Sequence, residues 1–309
     1  MGNKNIIYFL CLSFVMILWG LNMVALKVLV QVFPPFTMTS LRVFVAGLVI
    51  GLFMYFKKEF RKPTKKEWFL AAGAALLGVL GHHSFLTIGL VHTTASNAAI
   101  IIALSPLATS LFAAMLINER LTLMKLVGIT LGIFGVYLVV FQGTINVLSV
   151  SIGDLYVFGA MLTQALSYIL IKKATDSIDP KELTAIMFFI GSILLFMLSF
   201  FIEPNGVSQI NTSSIAIKYW LLFFGSGVLA TGFGHLMYNA TIHKVGASQT
   251  AIFLNMVPLF ALIGSSVFLK EEISYIQIGG FLLIVTGVII GVGGALIKKS
   301  IGTYLHKPA

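Results

Sequence analysis

Side chains with charged or acid–base groups are rare inside the long apolar runs of this sequence. One arginine, Arg42, and three histidines, His82, His83 and His235, lie within such runs. A planar guanidinium can hold a carboxylate through two parallel hydrogen bonds, and histidine titrates near neutral pH. We therefore predict that Arg42 binds a carboxylate compound and that the histidines contact substrate or sense protons. Two structural alternatives stay open: snorkelling or a hydrogen bond to helix-end carbonyls for Arg42, and a neutral bridge between helices for the histidines.

Adjacent residues of a helix point about 100° apart, so we expect only one of His82 and His83 to face a central cavity. His83 is favoured, because His235 matches it in an internal repeat described below. Neither Cys, Asp nor Glu accompanies these histidines at the spacing of metal ligands, so no metal site is predicted.

Acidic residues are placed only at the ends of the apolar runs or in turns, at Glu119, Asp154, Glu203, Glu271 and Glu272. A proton-coupled exporter of cationic drugs needs a buried carboxylate that exchanges a proton for the cation. We disfavour that activity and keep it as the alternative. No nucleophile or carboxylate partner supports catalysis, so no catalytic residue is predicted, and a membrane-embedded enzyme, sensor or channel is remote. No ATP-binding loop or cofactor motif is present.

Further polar residues and two prolines could shape the same site. Pro106 and Pro258 lie near the centres of two runs, where each removes a backbone hydrogen bond; such paired interruptions indicate a transport site, with ordinary helix bending as the alternative. Trp19 lies in mid-run instead of at the membrane interface, which favours a cavity wall or gate. The other candidates for the cavity wall, most of which could equally be packing residues, are Asn22, Asn97, Gln164, Ser167, Tyr168, Tyr238, Asn239 and Asn255.

The elements that must position these residues follow from composition. The chain has 309 residues, is 58% hydrophobic and 10% charged, and has far more apolar surface than one soluble core can hide. Its apolar runs recur at about 20 residues, the length of a membrane-spanning helix, without strand-like alternation. We predict an all-α integral membrane protein with ten transmembrane helices, the first an uncleaved span and not a signal peptide. The spans lie near 6–26, 36–56, 68–91, 95–117, 123–141, 154–172, 182–202, 217–241, 247–269 and 275–297. Cys11 is the single cysteine, so no disulfide forms within the chain.

The net charge of the chain is +10, but its basic residues are distributed as membrane orientation requires and are not gathered on one face. We therefore predict no nucleic-acid binding. Sixteen of the twenty Lys and Arg residues fall in alternate segments, which the positive-inside rule places in the cytoplasm together with both termini. These are Lys4, Lys57, Lys58, Arg61, Lys62, Lys65, Lys66, Arg120, Lys125, Lys172, Lys173, Lys181, Lys244, Lys298, Lys299 and Lys307. Two cytoplasmic termini require an even number of spans.

An internal repeat divides the chain. A shift of 152 residues superposes Ala95, Ser96, Ala99, Ile100, Pro106, Leu107, Glu119, Gly128, Leu131, Gly135 and Val136 on Ala247, Ser248, Ala251, Ile252, Pro258, Leu259, Glu271, Gly280, Leu283, Gly287 and Val288, and His83 on His235. Upstream, a shift of 145 places Met16, Lys27 and Pro35 on Met161, Lys172 and Pro180. Each repeat has five spans, an odd number, so the second copy is inverted. Inverted repeats predict alternating access to a site between them. We set the repeats at 1–142 and 143–299, followed by a cytoplasmic tail, 300–309.

These motifs resemble the EamA-type branch of the drug/metabolite transporter superfamily. The resemblance rests on the run 18–22, Leu-Trp-Gly-Leu-Asn, with Lys27, Pro35 and Arg42, and on the stretch from Ala95-Ser96-Asn97 through Leu104-Ser105-Pro106-Leu107 to Asn118-Glu119-Arg120-Leu121, with its second copy from Ala247 to Glu271. It covers about 6–297. The resemblance implies a ten-helix transporter of small metabolites, often amino acids and frequently in export, in the bacterial cytoplasmic membrane.

The two copies differ where the site is expected, since Gln164 falls at the place of Trp19 and Met187 at the place of Arg42. The halves therefore need not contribute equally. Glycines spaced as GxxxG occur at Gly47/Gly51, Gly128/Gly132 and Gly287/Gly291 and indicate close helix packing. Such packing suits contacts within one chain and a homodimer equally well.

Overall fold

The computed structural model describes residues 3–59, 61–117, 122–141, 151–210, 214–245 and 247–290. Several sequence expectations concern positions outside these ranges: Glu119 and Arg120, Gly291, the three last lysines, and the tail 300–309. In the described ranges the backbone forms helices joined by turns, with no strand. The prediction of an all-α protein is confirmed for the described ranges.

Ten helical segments of the described residues are numbered in chain order. The first half of the chain contains α1 Asn3–Val32, α2 Pro35–Lys57, α3 Lys65–His92, α4 Ala95–Ile117 and α5 Leu123–Phe141. The second half contains α6 Ile152–Ala174, α7 Pro180–Ile202, α8 217–245, α9 247–269 and α10 Tyr275–Val288. A one-turn helix, Gly206–Gln209, follows α7.

Seven of the described helices, those from α1 to α4 and from α6 to α8, are long and apolar enough to cross a membrane. Three shorter apolar stretches, Leu126–Val139, Phe253–Leu269 and Tyr275–Val288, lie at the places of the other expected spans. The chain is therefore a multi-pass membrane protein, while the number of ten spans stays a prediction.

Helix ends follow local capping chemistry. Thr64 and Glu67 form a reciprocal capping box at the start of α3, and Ser274 and Gln277 form another at the start of α10. Each box gives partners to backbone N–H groups that have none within the helix. At its other end α2 stops where Lys58 takes the left-handed conformation, with φ of 54°.

The helices pack in pairs that exchange under the internal repeat. α1 lies on α9 as α6 lies on α4, and α3 lies on α6 as α8 lies on α1. The counterparts α2 and α7 pack together, and so do α5 and α10. This arrangement agrees with a two-repeat architecture and leaves the space between the halves at the centre.

The glycine faces are used inside the chain. A Cβ on Gly47 would lie 3.1 Å from the Cβ of Phe188 in α7, and one on Gly135 would lie 2.6 Å from the carbonyl oxygen of Gly280 in α10. A Cβ on Gly287 would likewise meet the Gly128 carbonyl at 2.6 Å. These close approaches join helices of the same chain.

At one end of the bundle Arg61, which precedes α3, joins the two halves. Its guanidinium forms an ion pair with Glu67 at 2.7 Å and with Glu182 of α7 at 3.3 Å, and it donates to the Ser177 carbonyl. The hydrogen bond to Glu67 raises the pKa of Arg61 above its ordinary value. Lys181 and Glu59 form a second ion pair between the halves at this end.

Candidate transport cavity

A cavity of about 70 Å³ lies between the two halves. It is mostly apolar, with Met23, Leu26, Leu86, Met161 and Leu254 among its walls. Seven helices line it: α1, α2, α3, α4, α6, α8 and α9. The polar and aromatic side chains that line it are Trp19, Asn22, Arg42, His82, His83, Ser105, Gln164, Tyr168, Thr231 and His235.

Arg42 is buried in α2 with 1% of its surface exposed, and its hydrogen-bond partners among the described residues are two hydroxyls and an imidazole. One guanidinium nitrogen donates to the Thr231 hydroxyl and, at 3.4 Å, to the Ser226 hydroxyl of α8. The second terminal nitrogen lies 3.4 Å from Nδ1 of His83, and Nε has no partner among the described residues. No Asp or Glu in the described ranges forms an ion pair with Arg42. A buried cation without an anion is costly, so this arrangement favours an anionic ligand.

Both adjacent histidines of α3 line the cavity, so the expectation that only one faces it is wrong. Nδ1 of His82 lies 3.0 Å from the Ala160 carbonyl of α6, whereas His83 turns toward Arg42 in α2. Neighbouring residues of a helix point about 100° apart. The part of α3 that faces the cavity is therefore wide enough to include both side chains. Nε2 of His83 has no partner among the described residues.

His235 of α8 also lines the cavity, and its ring centroid is 6.4 Å from that of His83. The repeat-related histidines are therefore neighbours in the cavity lining. Nδ1 of His235 lies 3.0 Å from the Thr231 carbonyl one turn earlier. Because a carbonyl only accepts, this nitrogen carries the proton when the ring is neutral.

A π-helical segment precedes the histidines in both halves. It spans Leu76–Gly81 in α3 and Gly225–Phe233 in α8, and the shift of 152 residues relates the two. π-bulges are rare and occur often at functional sites. Within the second segment, the Ala230 carbonyl accepts a hydrogen bond of 2.7 Å from the indole nitrogen of Trp19.

Trp19 lies in an aromatic wall formed by α1, α6 and α8. Its ring centroid is 4.8 Å from that of His235 and 5.1 Å from that of Tyr238, which in turn lies 5.0 Å from Tyr168. A Cβ on Gly234 would lie 2.5 Å from the indole nitrogen, so only glycine leaves room for Trp19 there. Tyr238 supports this wall from behind and does not line the cavity.

Asn22 of α1 and Gln164 of α6 complete the polar lining. The side-chain oxygen of each is buried and has no hydrogen-bond partner among the described residues. Unpaired acceptors in an apolar cavity are costly unless a ligand or water donates to them. The residues of the cavity lining thus include one cation and two side-chain oxygens without a hydrogen-bond partner among the described residues.

The two prolines lie beside breaks in their helices, and neither lines the cavity. The regular helix of α4 is interrupted at residues 103–104 and resumes at Ser105, just before Pro106. In α9 a 3₁₀ segment, Ile252–Met256, precedes Val257 and Pro258. Both breaks carry residues that line the cavity, Ile102 and Ser105 in α4 and Leu254 and Val257 in α9.

Three amides and one serine expected on the cavity wall lie elsewhere. Asn97 lies near the start of α4, where it accepts from Gln277 at 2.6 Å. Asn239 donates to the Thr184 hydroxyl of α7 at 2.9 Å, which is the interhelical role kept open above. Ser167 donates to the Ala74 carbonyl, and Asn255 is not part of the cavity lining.

The sequence analysis did not predict that the hydroxyls of Ser226 and Thr231 bind Arg42. The available signal was the run 225–234, which is rich in glycine and small polar residues and ends one residue before His235. The sequence analysis placed Glu203 and Glu271 at the ends of apolar runs or in turns and did not predict what they bind. In the structure both carboxylates bind backbone groups of the opposite half.

Comparison with known proteins agrees with this architecture. The model of the EamA-like transporter family matches residues 6–141 and 151–292, one copy in each half. The uncharacterized transporter YyaM of Bacillus subtilis (strain 168) is 28% identical over 297 residues and 95% of each chain. YvbV of the same organism, also an uncharacterized transporter, is 28% identical over 90% of this chain and 89% of its own.

A solved crystal structure has the same fold, with a TM-score of 0.67 over 92% of this chain and 96% of the other, at 18% identity. The family match in each half confirms the resemblance inferred from the repeated motifs. The chain belongs to the EamA-like transporter family of the drug/metabolite transporter superfamily.

Proposed function

We propose that this protein is a secondary transporter or facilitator for small polar metabolites that carry a carboxylate, with amino acids as the favoured class. The observation that carries the proposal is the buried guanidinium of Arg42, which lies at the cavity without an anionic partner among the described residues. A substrate carboxylate supplies the missing charge and two oxygen acceptors in the geometry that guanidinium prefers.

The rest of the lining supports a zwitterion. The free oxygens of Asn22 and Gln164 accept hydrogen bonds from an ammonium group, and the apolar walls accommodate a side chain.

The mechanism and setting follow from the repeat and the charge pattern. We infer alternating access between the halves, net export across the cytoplasmic membrane, and two cytoplasmic termini. Proton-coupled export of drugs or other metabolites is the alternative, and it differs in its dependence on a pH gradient.

Counterflow in liposomes tests the proposal from the substrate side. Liposomes that contain the purified protein are loaded with one unlabelled amino acid, and the entry of labelled amino acids is measured at two pH values. Each amino acid is paired with the amine that lacks its carboxylate. We expect saturable counterflow of chemically unchanged amino acids and none of the amines.

Exchange of the amines at the rate of the amino acids would refute carboxylate recognition. Flux that requires a pH gradient would favour the proton-coupled alternative. Appearance of a chemically altered product would indicate an enzyme.

A further inference from the structure

Two carboxylates of the second half cap helices of the first half with the same geometry. Glu203, directly after α7, accepts from the backbone N–H of Phe36 at 2.9 Å through one oxygen. Its other oxygen accepts from the N–H and the hydroxyl of Thr37, each at 2.9 Å. These groups belong to the first turn of α2.

Glu271, after α9, repeats this pattern at the start of α4. One oxygen accepts from the N–H of Ala95 at 2.9 Å, and the other accepts from the N–H of Ser96 at 3.1 Å and from its hydroxyl at 2.5 Å. The Ser96 hydroxyl also lies 2.7 Å from that of Ser265 in α9. We call the two arrangements the Glu203 fork and the Glu271 fork.

Each fork pairs a carboxylate with the N-terminal backbone N–H groups of a helix. Leaving either group without a hydrogen-bond partner inside a membrane protein costs free energy. The first N–H groups of a helix have no partner within it, and the helix dipole favours an anion at that end. No Lys or Arg in the described ranges lies within 4 Å of either carboxylate, although Lys27 is near enough to attract Glu271. Separating the halves here therefore requires water for both the carboxylate and the helix end.

The Glu271 fork belongs to a layer of hydrogen bonds around the turn between α3 and α4, close to the cavity lining. The turn between α3 and α4 is also bound by Lys27, which donates to the Leu90 and Thr93 carbonyls at 2.7 and 2.6 Å. The Thr93 hydroxyl donates to the buried Asp154 of α6. Along the chain, Lys27 directly follows the cavity residue Leu26, Leu90 lies four residues after Leu86, and Ser96 lies six before Ile102. The layer thus lies within two helical turns of the cavity lining.

We propose that the Glu203 and Glu271 forks are the latches of a gate. They hold the second half against the first while the cavity is closed on this side, and both break when it opens there. The proposal rests on alternating access, which is part of the proposed function, but not on the identity of the cargo. The charge pattern places this side outside the cell.

A glutamine keeps the shape of each latch but removes its charge and one acceptor, and its amide N–H groups face the backbone donors. Each fork then loses charge-assisted hydrogen bonds, which shifts the closed–open equilibrium by about tenfold or more. A matched control is Glu272→Gln, since Glu272 neighbours Glu271 and takes no part in either fork.

Accessibility of the cavity measures this shift without any substrate. In a Cys11→Ser background, Ser105→Cys places a reporter thiol in the cavity lining. A membrane-impermeant maleimide is added to sealed vesicles of each orientation. We expect Glu203→Gln and Glu271→Gln each to increase labelling from the fork side about tenfold, with a larger effect in the double variant and none in Glu272→Gln. Unchanged labelling in both single variants would overturn the proposal.

A crosslink separates a gate from a static cap and serves if a glutamine variant fails to fold. The Ser96→Cys/Ser265→Cys pair replaces two hydroxyls that lie 2.7 Å apart. Once oxidised, it should abolish labelling of the reporter from the fork side, and reductant should restore it. If the reporter labels equally fast with the disulfide formed, the contact persists in the open state and the gate is refuted. Absence of amino-acid counterflow would leave this result unaffected.

Discussion

Replacing Arg42 by methionine tests whether its charge serves a ligand or the fold. Methionine fills a similar volume but carries neither charge nor donors. If Arg42 is a ligand group, the unliganded protein bears the cost of burying its charge, and the variant is relieved of it. If Arg42 is a structural link between α2 and α8, the variant loses that link. The two interpretations therefore predict opposite changes in stability.

The contacts of Arg42 set the magnitude. A buried ion costs several kcal/mol after relaxation. Against this, the guanidinium makes a hydrogen bond to Thr231 and two contacts of 3.4 Å, to Ser226 and His83. Together these return about 2–4 kcal/mol. We expect Arg42→Met to leave the free energy of unfolding unchanged or to raise it by up to about 3 kcal/mol.

The assay combines the apparent melting temperature of the purified protein with counterflow in liposomes. A change of 1 kcal/mol moves the melting temperature by roughly 2 °C for a chain of this size. We expect an equal or higher melting temperature together with a loss of carboxylate exchange of about 30-fold or more. Arg42→Lys retains the charge without the planar fork and should fall between the two. A melting temperature several degrees lower, or unchanged exchange by Arg42→Met, would refute the reasoning.

Two further predictions concern packing and orientation. Gly280→Ala puts a Cβ 2.7 Å from the Gly135 carbonyl and 2.5 Å from Val139, so it should lower the free energy of unfolding by about 1–3 kcal/mol, measured by thermal denaturation. Gly279→Ala is the control, because nothing lies within 4 Å of its Cβ, and equal stability of the two variants would contradict this packing. For orientation, a C-terminal reporter that is active only in the cytoplasm should be active, and one active only outside should be silent; the reverse would invert the proposed direction of the gate.

Much of the fold could be predicted from hydropathy because its cause is local. A helix in lipid must satisfy its backbone within the segment, so apolar length and flanking charges locate it without knowledge of its neighbours. The expected span 36–56 corresponds to α2, Pro35–Lys57, and 182–202 to α7, Pro180–Ile202. The breaks in α3 and α8 were not predicted, since a π-bulge leaves no apolar signature.

The candidate site was predicted in part for the same reason. A charge or a histidine inside a span must avoid lipid, so Arg42, His83 and His235 could be assigned to the interior from their positions alone. Asn97 and Asn239 obey the same rule, yet they bond neighbouring helices away from the cavity. Polarity indicates that a residue faces protein; it does not indicate which protein surface it faces.

The sequence by itself determined that lipid is the solvent, that helices span it and that the chain is a repeated unit, because these properties depend on residues within one helix or on a fixed shift along the chain. Only the tertiary structure shows that Arg42 donates to the hydroxyl of Thr231, 189 residues away. It likewise shows that Glu271 binds Ser96, 175 residues away, at the start of α4. Such contacts depend on how whole helices pack. That packing places the buried arginine at the cavity. It also brings Glu203 and Glu271, which were expected at span ends or in turns, into hydrogen bonds with the opposite half.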